Sequence, residues 1–296
     1  MYNKLMTFAE LEQARLIYRK KLSVILWIFG LAMLAVTVLL FPMGFFFAFA
    51  ALMVPFIICY IFIPNKSRIA YEKAYKTYFV AQALAKLFPG CHYAHDAGLP
   101  RQKVAETNLF DLGDHYSSND LISGEYKGVD FAQADVKITE TRTDSEGHSY
   151  TVTIFQGRYM IFEFKKKFDF RLAVVGKSFS ATSLRRQKNG RKFNRISLES
   201  PMFNKLYRVY AEDGFEAFYL LDPAFLDRAE KLAEAHKKRV FLGFFGNKLH
   251  VAIQDGKDSL EPPSPFHKLD EAKEFQRVTT DLKLVTDIVD SLKLKA

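Results

Sequence analysis

Between Lys21 and Lys66 the chain carries no charged side chain over 44 residues, Leu22 to Asn65. As one helix this run would be about 66 Å long, roughly twice the hydrocarbon core of a bilayer. Dividing it at Phe41-Pro42-Met43-Gly44 leaves Leu22 to Leu40 and Phe45 to Ile63, 19 residues each, and each would reach about 28 Å as a helix. Pro42 cannot continue a helical hydrogen-bond ladder and Gly44 accepts left-handed dihedrals, so the expectation is a transmembrane helical hairpin over residues 22–63 with its tip here. A buried hairpin of a globular core would show a polar face over such a length, and none is visible. A signal peptide is too short and is not followed at once by a second apolar run. With no ionisable residue in either span, the hairpin reads as a bilayer anchor and not as an ion or proton path. Gly30 and Ala48 are compatible with homo-oligomerisation, but no sustained small-residue face demands it.

Lys4, Arg15, Arg19, Lys20 and Lys21 precede this run, and Lys66, Arg68, Lys73 and Lys76 follow it. The positive-inside rule then puts both termini in the cytoplasm of a multi-pass inner-membrane protein. The expected divisions are a cytoplasmic segment (1–21), the hairpin (22–63), a juxtamembrane helix (64–90) and a cytoplasmic domain (91–296). Two cysteines in 296 residues imply no disulfide framework, in keeping with a reducing compartment.

In residues 67–90 apolar or aromatic side chains recur at helical spacing (Ile69, Tyr71, Tyr75, Phe79, Ala83, Leu87), and Pro89-Gly90 predicts the stop. From Leu121 the period shortens. Residues 128–143, 148–166 and 170–176 are rich in β-branched and aromatic side chains with partial alternation, which predicts strands, and Asp144 to Gly147 supplies turn chemistry between the first two. Residues 195–200 and 205–211 read as extended. Asp222-Pro223 predicts a helix start, residues 240–256 a hairpin turning at Gly246-Asn247, and residues 269–292 a last helix. The fold class expected is therefore α+β, a mainly antiparallel sheet with flanking helices behind the transmembrane hairpin.

The runs SSNDLISGEYKGVDFAQADVKI, IFQGRYMIFEFKKKF and ISLESPMFNKLYRVYAEDGFEAFYLLDPAFLDRAEKL resemble an uncharacterised bacterial family of membrane-anchored proteins, catalogued as a domain of unknown function. The resemblance covers most of residues 70–255. It implies two N-terminal spans, an α+β cytoplasmic domain, a bacterial inner-membrane location and, for some members, a gene neighbour of the LemA family. It implies no activity, cofactor or site residue.

No nucleotide motif is present. Gly176-Lys177-Ser178 lacks the earlier glycine of a P-loop, since position 171 is arginine, and no G-x-G-x-x-G opens a strand-to-helix turn. Cys91, His92, His95 and Asp96 in CHYAHD offer zinc-type ligands, but the spacing lacks a second ligand pair and reads as an ordinary loop. Asp120, Glu125, Asp130, Glu212 and Asp213 are carboxylates of the kind that acid and base work pairs within a few ångströms, although Asp213 before Gly214 and Glu216 has the arrangement of a turn or capping box. No cofactor is expected and no catalytic residue is assigned.

The least ordinary stretch is KSFSATSLRRQKNGRKFNR, residues 177–195, with seven basic residues (Lys177, Arg185, Arg186, Lys188, Arg191, Lys192 and Arg195) and no acidic one. Much of the net charge of +9 lies here. The expected role is contact with anionic lipid headgroups or with an acidic protein. Nucleic acid is disfavoured, because only Phe179 and Phe193 are available for stacking. The reading from sequence is an interaction or scaffold module, with a tethered enzyme of unrecognised site as the alternative.

Overall fold

The computed structural model describes residues 6–40, 53, 56–58, 60, 63–176, 193–237, 239–256 and 258–292. The chain divides into two compact units, Met1–Ala83 with Leu260–Val278, and Leu84–Ser259 with Thr279–Ala296.

The first unit begins with one unbroken helix, α1 (Phe8–Leu40). Thr7 opens it as a capping box, its hydroxyl accepting from the Glu10 amide while the Glu10 carboxylate accepts from the Thr7 amide at 2.8 Å. The charged first half of α1 belongs to the fold. Arg15 is buried, donates to the carbonyls of Pro265 (2.6 Å) and His267 (2.9 Å), and pairs with Glu12. Beyond α1, helix α2 (Asn65–Tyr75) runs through a π-helical turn (Lys76–Val80) into α3 (Ala81–Leu87). The aromatic stripe expected here buries Tyr71, Tyr75 and Phe79. Tyr71 donates to the Pro263 carbonyl and Lys76 binds Glu261 at 2.6 Å, so the proline-rich stretch 261–266 packs against the stripe.

Among the described residues no helix is long and apolar enough to cross a membrane. This overturns the expected transmembrane hairpin and the multi-pass inner-membrane placement built on it. The apolar run Leu22 to Leu40 is the second half of a helix whose first half carries Glu10, Glu12, Arg15, Arg19, Lys20 and Lys21, and not a separate span. The expected tip at Pro42 and Gly44 and most of residues 45–62 lie outside the described residues.

The second unit is built on a sheet with seven strands among the described residues, in the order β1-β2-β3-β4-β6-β5, with β7 also on β4 and every pairing antiparallel. The strands are β1 (His92–Ala94), β2 (His115–Tyr126), β3 (Val129–Thr143), β4 (Ser149–Gly176), β5 (Asn194–Ile196), β6 (Tyr207–Ala211) and β7 (Val240–Ile253). The two strand segments expected at 148–166 and 170–176 are one 28-residue strand. The expected hairpin at Gly246-Asn247 does not form. Gly246 takes a left-handed φ of 59°, yet the strand runs unbroken across it. The chain instead continues as β7, which follows β4 past an irregularity from Glu163↔Lys248 to Phe168↔Gly246.

Four short helices attach to this sheet. They are α4 (Arg101–Ala105), α5 (Pro201–Leu206), α6 (Gly214–Leu220) and α7 (Pro223–Ala235). Asp213 and Asp222 cap α6 and α7 as the sequence suggests, and Ser200 caps α5, so Lys205 and Leu206 are helical and not extended. The last helical stretch breaks at Lys283 into α8 (Glu271–Leu282) and α9 (Leu284–Leu292), and α9, with Ile288 and Val289 buried, packs on α7. Alternate residues of β3 (Ala134, Val136, Ile138) meet Phe155, Tyr159 and Ile161 of β4 in a core closed by Leu99, Val104 and Leu109.

One charged pair lies deep in this unit. Arg171 of β4 donates through Nε to Glu212, beside β6, at 2.7 Å, and both side chains are about nine-tenths or more buried. The backbone amide of each also bonds toward the other residue, and Phe193 lies over the guanidinium. Removing one partner strands a buried charge, so Arg171→Ala is expected to lower stability by about 3–5 kcal/mol. Urea unfolding of the two proteins measures it, and a loss below about 1 kcal/mol would contradict the pairing's importance.

Candidate functional site

The second unit holds a cleft of about 260 Å³ on the sheet face that carries Ala132 and Ile161. Its floor is apolar, from Leu99, Leu121, Phe131, Ala132 and Ile161, and its rim carries Lys103, Ser123, Asp130, Glu163 and Lys248. Pairing register brings the rim together: Ser123↔Ala132 joins β2 to β3, Asp130↔Glu163 joins β3 to β4, and Glu163↔Lys248 joins β4 to β7. Pro100 starts α4 and places Lys103 on the opposite wall.

Behind the lysine wall lies a buried polar chain. Glu106 accepts from Lys248 Nζ at 3.2 Å, and Lys103 Nζ stands 3.6 Å away. Nε2 of His250 is 3.5 Å from the Glu106 carboxylate, and its Nδ1 is 3.0 Å from the Tyr159 hydroxyl. Burial holds His250 below its ordinary pKa and Tyr159 above its own, so both are neutral near pH 7. Contact with His250, reinforced by Lys248, outweighs burial and draws the Glu106 carboxyl down to about 2. His250 and Tyr159 are both fully buried, so no substrate atom can reach either. The chain positions Glu106 and through it the two lysines.

A second polar group lies deep on β3. Asp135 accepts from the Ser259 amide at 3.0 Å through Oδ2, while Oδ1 has no hydrogen-bond partner among the described residues. Burial, with the charges of Asp258 and Asp120 adding to it, outweighs that bond and the Arg158 charge and pushes the Asp135 carboxyl up to about 8.

Of the basic residues singled out in the sequence, Lys177, Arg185, Arg186, Lys188, Arg191 and Lys192 lie outside the described residues; Arg195 is exposed on β5, at the end of the sheet. Among the described residues Cys91, His92 and His95 do not gather their ligand atoms within 4.8 Å of one another. Cys91 packs its sulfur against Gly124, where an added Cβ would come within 2.1 Å of it. The five carboxylates separate. Glu212 holds Arg171, Asp213 caps α6, and Asp120, in a left-handed bulge of β2, accepts from the Tyr93 hydroxyl at 2.6 Å. Glu125 and Asp130 do face each other across β2 and β3. Sequence reasoning missed Glu106, Glu163, Lys248 and His250. Lys248 and His250 stand two apart in a strand-like run, which hinted at a shared face, but Glu106 has no local signal.

The buried Asp135 carboxyl gives a pH test. Its folded-state pKa lies above the ordinary 3.8, so its contribution to stability is fully present below about pH 4 and is lost as pH rises through about 8. Asp135→Asn keeps an acceptor for the Ser259 amide and is expected to flatten this decline, making the variant the more stable protein at pH 8. Unfolding midpoints between pH 4 and pH 9 test it; parallel curves for the two proteins would refute the assignment.

No curated protein matches the chain. Among solved structures, the crystal structure of the mycobacterial trehalose monomycolate transport factor A, TtfA, aligns with a TM-score of 0.37 and 12% identity, over 72% of this chain and 92% of that one. A DUF3137 domain, described as a protein of unknown function, is found at residues 153–294, a range that starts within β4 and includes α9.

Proposed function

We propose that this chain is an interaction module whose basic stretch, residues 177–195, engages an acidic protein partner. The observation that carries the reading is the concentration of seven basic residues, with no acidic one, in a chain of net charge +9. Such a patch speeds encounter with an acidic surface and sets its salt dependence. Arg195, the member of the set on β5, is exposed. The neutral, fully buried His250 and Tyr159 support a binding role over a catalytic one, since acid or base work requires reach to the substrate. A LemA family protein, suggested by the resemblance of the sequence, is the first partner to try.

Cross-linked affinity purification comparing the intact chain with a variant neutralised at Arg185, Arg186, Lys188, Arg191 and Lys192 tests the proposal. A discrete partner should be recovered with the intact chain, lost with the variant and released by high salt. Recovery unchanged by the substitutions would refute it. Binding to phosphatidylglycerol vesicles in place of a protein would transfer the role to anionic headgroups.

A further inference from the structure

Helix α1 is held along one face, and its opposite face runs uncovered. Leu11, Arg15, Leu22 and Ile25 are buried, and Phe29 stacks on Phe56 with ring centroids 3.8 Å apart. Separated by three, four or seven residues, these positions share one side of the helix. Half a turn away lie Ile17, Lys20, Val24, Trp27, Leu31 and Leu34, and all six are exposed. They follow one another at alternating spacings of three and four residues, the 3.5-residue repeat of a seam along which two helices pair.

Trp27 is 74% exposed, and Leu31 and Leu34 are 62% exposed. With Leu16 and Ile28 beside it, the seam presents apolar surface on the order of 800 Å², beyond the roughly 300–600 Å² of the largest patch on a typical monomer and comparable to the roughly 800 Å² that each partner gives a standard interface. Lys20 is the one charged side chain in the seam, and it selects the orientation. In a parallel pair the two Lys20 ammoniums, each flanked by Arg19 and Lys21, would stand within about one Debye length, roughly 8 Å at physiological salt. An antiparallel pair with its two-fold axis between Val24 and Trp27 sets Ile17 against Leu34, Val24 against Trp27 and the Lys20 stem over Leu31. About eleven residues of helix, roughly 16 Å, then separate the two Lys20 positions, and each ammonium reaches water past the edge of the seam. The face is complementary to itself under two-fold symmetry.

We propose that α1 pairs antiparallel with α1 of a second copy of this chain through the seam from Ile17 to Leu34, making the protein a two-fold homodimer. The pairing does not depend on the role of residues 177–195. The packed face of each α1 stays on its own fold, so the dimer forms without rearrangement of the chain.

Trp27 is the chain's single tryptophan, so its fluorescence reports on the seam directly. Sedimentation equilibrium of the full chain in detergent-free buffer should show a dimer, and the Trp27 emission should move to longer wavelength as dilution releases the monomer. Val24→Glu should weaken the dimer on the order of a hundredfold, because it buries a carboxylate without a partner. Leu31→Glu, which meets Lys20 of the other copy, should cost less than about tenfold. Lys20→Leu should tighten the dimer on the order of tenfold, a change in the direction that misfolding cannot produce. Equal losses from Val24→Glu and Leu31→Glu would overturn the antiparallel arrangement. A chain that stays monomeric at high concentration, a dimer untouched by Val24→Glu, or a Trp27 emission that moves only when phosphatidylcholine vesicles are added would overturn the pairing itself.

Discussion

A strand as long as β4 exposes two continuous rows of backbone donors and acceptors, and each has to be matched by a partner strand or by water. Strands usually run 3–10 residues, whereas β4 has 28. No single partner covers it. Along one edge β3 takes the first part and β6 the last; β7 follows the other edge past the irregularities at Glu163/Phe168 and Phe168/Leu172. The connections between elements answer to this requirement. Residues 240–253 stay one strand because a reversal at Gly246 would leave half of that edge of β4 without its partner.

The same register distributes the charges. Where a carboxylate is drawn inward it is met by several donors: Glu212 by Arg171, and Glu106 by Lys248 with His250 beside it. Asp135 has one such donor and keeps its proton instead, because at that depth a hydrogen bond from a single amide does not offset lost hydration. At the rim of the cleft the opposite holds. Asp130 and Glu163 stand exposed and opposed, and Lys248 sits across from Glu163 on the next strand.

Parts of this were legible along the chain. Helix starts at Asp213 and Asp222, the turn at Asp144 to Gly147, the aromatic stripe of Tyr71, Tyr75 and Phe79 and the β-rich region after Leu121 all follow from interactions spanning a few residues, so local chemistry suffices to read them. The uncharged run misled. Its length argued for two antiparallel spans starting at Leu22, yet the helix starts at Phe8, because the charged turns before Leu22 have partners of their own: Arg15 reaches carbonyls of Pro265 and His267, some 250 positions away. No periodicity within residues 8–40 contains that information.

The sequence by itself determined the α+β class, the strand-rich centre, the helix caps at Asp213 and Asp222 and the concentration of positive charge in residues 177–195, since each depends on neighbours within a turn or on composition alone. Tertiary structure decided the rest. Whether Lys248 meets Glu163 or Glu106 meets His250 depends on strand register and on which edge of β4 each strand takes. A shift of one residue would turn every one of these side chains to the other face. Register is a long-range property, set by the packing of Ala134, Val136, Phe155 and Tyr159 in the core, and so the cleft exists only once the sheet has closed.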